Sequence, residues 1–157
     1  AELMLYNVNT SRIHRLIFDT STEERLRFLG YSLCERLYVL KEFYTAFFAV
    51  SADDLHRFHS QNGDTEGLVN YALSMDGIVL AAMIIEREDG VKLSFRSKGE
   101  FSVNEFARKH FEGGGHNNAS GGRSTLSLKE TVKKFVEIIP EYRDQLLETY
   151  RKEKFIC

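Results

Sequence analysis

The sequence predicts an α/β domain: a mixed β-sheet of about four to five strands flanked by helices, with a long connecting helix leading in from the N-terminus. Three observations carry this expectation. Short apolar or alternating runs read as strands, helical stripes opened by capping residues lie between them, and 43% apolar residues across 157 positions supply a core for one domain. Residues 1 to about 20 show weak helical periodicity, with Ile13, Leu16 and Ile17 at helical spacing. Ser21 with Glu24 three positions on reads as a capping box. The stripe Leu26, Leu29, Leu33, Leu37 and Leu40 then predicts one helix of roughly 20 residues. Tyr44–Val50 reads as a buried strand, and Ser51 as the cap of a short helix through Leu55 and Phe58. A further helix is expected from Asp64 through Leu68, Val69 and Ala72.

The second half follows the same alternation. Asp76-Gly77 predicts a turn into an apolar strand over Ile78–Glu86, and Asp89-Gly90 predicts a hairpin. Beyond it Val91, Leu93 and Phe95 alternate with Lys92, Ser94 and Arg96, so Ser94 and Arg96 share the polar face. Ser102 and Glu105 open a helix that buries Val103, Phe106, Ala107 and Phe111 and ends at Gly113-Gly114-Gly115. Ala119–Thr125 reads as the fourth strand. Ser127 and Glu130 open the last helix, Pro140 interrupts it, and Leu146, Leu147 and Tyr150 resume the stripe.

Charge and composition exclude several classes. Balanced charge (21 Lys and Arg against 23 Asp and Glu) with 12% aromatics excludes a mainly disordered chain. A net charge of −2 argues against a bulk polyanion binder, so any nucleotide contact must be local. The longest apolar run, Ile78–Ile85, is far short of the about 20 residues of a membrane span, and no leader pattern opens the chain. Cys34 and Cys157 make no zinc pattern, and Cys34 in the leucine stripe reads as a core thiol; a reduced, cytoplasmic protein is expected. A chain that begins at Ala1 within what reads as structure suggests a piece of a longer protein.

One segment departs from the composition of a packed domain. Gly113-Gly114-Gly115-His116-Asn117-Asn118-Ala119-Ser120-Gly121-Gly122 leaves backbone bare, and successive N–H groups there could cradle an anion. A plain helix stop followed by a tight loop explains the same glycines. His116 would sit at the mouth of that loop, and Arg96 on its strand could grip a phosphate with two parallel hydrogen bonds. His56 and His59, three apart, permit two metal ligands, but no further ligand pattern follows them.

This glycine string, with Ser94-Phe95-Arg96-Ser97-Lys98 and the helix of Val103, Asn104 and Phe106 before it, resembles the C-terminal domain of DHH-family phosphoesterases. Gly63-Asp64-Thr65-Glu66-Gly67-Leu68-Val69-Asn70 is similar to that family too, and the resemblance spans about residues 44–147. The branch it resembles most comprises two-domain oligoribonucleases that also remove the 3′-phosphate of phosphoadenosine phosphate. Cyclic-dinucleotide phosphodiesterases are cousins. The resemblance implies that two divalent metal ions, manganese in the usual case, sit on an Asp-His-His motif in a separate catalytic domain. This sequence lacks that triplet, so the chain is expected to bind no metal cofactor itself and to be inactive alone. Residues 1–43 would be the tail of the catalytic domain and the connecting helix, and residues 44–157 the substrate-binding domain. Carried over by position, Arg96 would contact base or phosphate, and Gly114 and Gly115 would offer backbone N–H donors. His116 would reach the phosphate near the scissile bond in a catalytic role, with Ser94, Ser97 and Asn118 contributing from the same surfaces. The expected partners are a short RNA or nucleotide, the protein's own DHH domain and a second copy in a homodimer, with no membrane. The alternative is a stand-alone module for single-stranded nucleic acid.

Overall fold

The computed structural model describes residues 9–61 and 63–154. Cys157 and the side chain of Ile17 lie outside what it describes. Helices α1 (Thr10–Phe18) and α2 (Glu23–Glu35) lead into strand β1 (Leu37–Leu40). Strand β2 (Thr45–Val50), helices α3 (Ala52–Arg57) and α4 (Leu68–Ser74), and the hairpin β3 (Leu80–Arg87)–β4 (Gly90–Ser97) follow. Helix α5 (Val103–His110) precedes a second hairpin, β5 (Gly114–His116)–β6 (Ala119–Ser124). Helices α6 (Leu128–Ile138) and α7 (Arg143–Lys154) close the fold, separated by a 3-10 turn that contains Pro140.

The six strands run in the order β1-β2-β3-β4-β6-β5. Only β2 and β3 are parallel, joined by the crossover through α3 and α4, so the sheet is mixed. Its two faces carry separate cores. On one, Phe95, Leu93, Ile84 and Phe47 pack under α5, α6 and α7 through Phe106, Phe135 and Leu146. On the other, Ala46, Phe48, Met83 and Ile85 pack under Phe28 of α2, Leu55 of α3, and Leu68, Val69 and Ala72 of α4. Beside the β1 edge, Tyr38, Val39, Phe47, Leu128, Val132 and Val136 line an apolar groove.

Several expectations are corrected. The leading helix ends at Glu35, and Leu37 and Leu40 belong to β1, which pairs with β2; three residues apart on a strand they face opposite sides, and each packs against a different core. Its cap is Thr22, whose side chain accepts from Arg25 N–H, rather than Ser21. Phe28 and Ser32 form the buried side of α2; Cys34, about 200° round the helix from Ser32, is exposed and not a core thiol. Helix α4 starts after Gly67, not at Asp64, because Gly63 (φ 102°) and Gly67 (φ 83°) hold left-handed conformations that interrupt a helix. The β3–β4 turn falls on Glu88-Asp89, since Arg87 pairs with Gly90.

The glycine string forms a hairpin rather than a loop. Glu112 and Arg123 exchange backbone hydrogen bonds of 3.3 and 3.1 Å, and the ladder continues through Gly114–Gly121 to His116–Ala119. A Cβ at Gly113 would overlap the Gly121 carbonyl oxygen, and one at Gly115 (φ 154°) would come within 2.7 Å of the Ala119 oxygen. The glycines therefore let two backbones lie in contact. Gly113→Ala is expected to lower stability by at least about 2 kcal/mol, read as a fall in the urea midpoint.

A buried carboxylate ties α2 to α3. Asp54 accepts from Tyr31 Oη (2.6 Å), Arg36 Nε (2.7 Å), Arg36 Nη2 (2.9 Å) and Ser51 N–H (3.0 Å). Burial alone would raise its carboxyl, but the hydrogen bonds from Arg36, Tyr31 and Ser51 outweigh burial and hold it well below the usual carboxylate range. A group lowered on folding contributes its stability above its unfolded pKa of about 3.9 and loses it as pH falls further. Asp54→Asn is expected to cost about 2–3 kcal/mol at pH 7, less than a fully buried pair because Arg36 keeps 32% of its side chain in water. That difference from wild type should shrink below about pH 4 in denaturant titrations.

Candidate functional site

Sheet register assembles the site. Arg96 pairs with Ala81 on β3 and with Ala119 on β6, and Ala119 pairs with His116 on β5. The register therefore puts the Cα atoms of Arg96, Ala119 and His116 in one row across the sheet. Two strand spacings put Arg96 and His116 about 10 Å apart at Cα. The residue between them is an alanine, and in the next row Ser94 faces Gly121 and Gly114. The floor between the two long polar side chains is thus nearly bare backbone. Helix α5 packs on the face of β4 and β6 opposite Arg96, and its Asn104 and Arg108 reach round to Gly114 and Gly115 of the edge strand β5.

The row continues into a 610 Å³ cleft walled by Gly63, Thr65, Glu66 and Gly67 on the α4 side and by Arg87, Lys92, Ser94 and Arg96 on the sheet. Arg87, Lys92 and Arg96 make no ion pair among the described residues. Arg96 Nη1 donates to the Phe95 carbonyl oxygen at 2.9 Å, which holds the side chain along its strand. A chain of net charge −2 therefore concentrates three uncompensated cations against one carboxylate, Glu66, in a single cleft.

The other residues singled out by sequence fall outside this row. Ser97 is buried; its Oγ donates to Phe101 O (2.6 Å) and accepts from Asn118 Nδ2 (3.0 Å), which also donates to Gly99 O (2.8 Å). The pair braces the β5–β6 turn against the end of β4. Gly115 N–H is taken by Asn104 Oδ1 at 2.9 Å. Gly114 lies against Asn104 and Arg108, since a Cβ there would sit 3.4 Å from Arg108 Nε and from Asn104 Oδ1. Sequence reasoning did not single out Arg87, Lys92 or Arg108. The β4 alternation that finds Arg96 also finds Lys92, and the hairpin register finds Arg87.

Among the described residues no three His, Cys, Asp or Glu side chains come together to hold a metal ion. His56 and His59, with ring centroids 6.4 Å apart, gain no third ligand. The donor set of the described residues does not fit the metal pair that the resemblance implies. Also among the described residues, no helix is long and apolar enough to cross a membrane.

Comparison with known proteins places the family and the fold. The DHHA1 domain family matches residues 45–143, from the start of β2 to the start of α7. Over 79 residues the chain is 35% identical to the bifunctional oligoribonuclease and PAP phosphatase NrnA of Thermus thermophilus, a match covering 50% of this chain and 23% of that protein. The crystal structure of an exopolyphosphatase-related protein from Bacteroides fragilis superposes with a TM-score of 0.87 at 34% identity, covering 92% of this chain and 42% of that one. The chain thus spans less than half the length of these relatives. With its central sheet, its glycine hairpin and 99 consecutive residues matched, the chain belongs to the DHHA1 domain family.

Proposed function

We propose that this chain is the substrate-holding part of a metal-dependent phosphoesterase acting on short oligoribonucleotides or small nucleotides such as phosphoadenosine phosphate. The observation that carries the reading is the row of Arg96 and His116 over a floor of alanine and glycine, beside a cleft of unpaired cations. A planar guanidinium matches two phosphate oxygens, and with the Cα atoms of Arg96 and His116 about 10 Å apart (two strand spacings) there is room for one nucleotide unit between them. Arg96 grips one phosphate of the substrate. His116 reaches the phosphate near the scissile bond and stabilises charge there as it builds. Ser94 lies next to Arg96 on the same face. Ser97, Asn118 and Asn104 position the hairpin that presents His116.

In the full-length protein a DHH catalytic domain, with residues 1–43 as its tail and connector, would supply the metal pair that activates water. This chain alone would then bind without hydrolysing. The name of the Thermus relative supports the substrate class, and the small number of cations supports a short substrate, since long strands need many phosphate contacts.

Calorimetric titration with 5′-phosphorylated diadenylate tests this. Wild type is expected to bind, and Arg96→Ala and His116→Ala are each expected to weaken binding at least about tenfold, near 1.4 kcal/mol, with the fold intact. Identical isotherms for all three proteins would contradict the reading. So would release of phosphate by this chain alone with Mn²⁺.

A further inference from the structure

We propose that Arg87 and Lys92 form a further anion subsite, which takes the terminal phosphomonoester of a short nucleotide chain whose next two phosphates lie on Arg96 and His116. The inference deepens the substrate-holding reading and rests on it.

The register separates the cations into two groups. Lys92 pairs with Ile85, and Arg87 lies two residues beyond Ile85 on the same face. Arg87 and Lys92 are thus diagonal neighbours about 7–8 Å apart at Cα. Arg96 stands four residues from Lys92, and six from Gly90, the partner of Arg87. At about 3.3 Å per residue these separations are about 13 and 20 Å, so one phosphate cannot occupy both ends of the cleft.

The charges favour an end group over an internal linkage. Arg123, opposite Lys92 on β6, is already paired with Asp89 at 3.5 Å, which leaves Arg87 and Lys92 as the two open charges at this end. A phosphodiester carries one negative charge. A terminal monoester carries about −1.5 to −2 at pH 7 and matches the pair. Arg87 Nη2 lies 3.5 Å from Thr65 Oγ1, so the guanidinium is held toward the cleft wall without being neutralised. The β3–β4 turn, only Glu88 and Asp89, closes the sheet just past Arg87, so a chain end fits there and a continuing strand would have to pass two carboxylates.

The test measures affinity for triadenylate with a 5′-phosphate, with a 3′-phosphate and with neither, in wild type and in the Arg87→Gln/Lys92→Gln double variant. In wild type one of the two terminal phosphates should raise affinity at least tenfold. In the double variant the ratio of phosphorylated to unphosphorylated affinity should fall to about one, with circular dichroism unchanged. Lys92→Gln alone, at an exposed position, should lower the ratio and serves if the double variant does not fold. If wild type binds all three ligands equally, or the ratio survives the substitutions, the subsite is overturned while the substrate-holding reading stands. If wild type binds none of them, both fall.

Discussion

The contact on which the site depends is the approach of two bare backbones, Gly113–Gly115 against Ala119–Gly122. Any side chain at Gly113 would push β5 from β6, and β5 has no other strand neighbour. His116 is carried by that edge strand, so its place beside Arg96 is inherited from ladder register rather than from contacts of its own ring. The bracing follows the same logic. Asn104 takes the outward N–H of Gly115, Asn118 reaches Ser97 and Gly99, and Ser120 Oγ donates to Val103 O at 2.7 Å. Each bond spends a polar group of the glycine segment on holding the hairpin to β4 and α5, and His116 stays exposed at the end of β5.

Electrostatics give the second half of the account. A near-neutral chain avoids indiscriminate attraction of long nucleic acid, whose binding grows with every phosphate neutralised. Local concentration is achieved by spacing rather than by surplus. The polar positions of β4 place Lys92, Ser94 and Arg96 on one face, and the hairpin adds Arg87 from β3. Six other cations stand in ion pairs among the described residues, as Lys152 does with Glu100 and Glu148. In the cleft three cations share one space, and the glycine-rich turn that walls it offers only Glu66 in return.

Much of this fold is legible in the residues, and the failures have physical causes. The alternation of β4 and the apolar run of β3 report their own burial, and the Ser127–Glu130 capping box forms as the spacing suggests. Strand β1 is hidden because Leu37 and Leu40 extend a helical stripe, and a period of three or four cannot show where a helix ends. Strand β5 is hidden because glycines carry no side chain and hence no face. The same gap turned a hairpin into an apparent loop with free N–H donors. Arg96 and His116 can be picked out singly, but their meeting depends on β6 lying between β4 and β5, an order that no local pattern encodes. Arg87 closes an apolar strand and becomes visible as a cleft residue only through the hairpin register.

The central claim is that one ligand lies along the row from His116 to Arg96 and on into the cleft. Amide chemical-shift mapping of the isotopically labelled chain, titrated with phosphorylated triadenylate, tests it directly. The account predicts the largest shifts at residues 65–67, 92–96, 114–116 and 119–121, with little change in α6 and α7. Shifts centred instead on Tyr38, Val39, Leu128 and Val132, in the apolar groove at the far edge of the sheet, would contradict it.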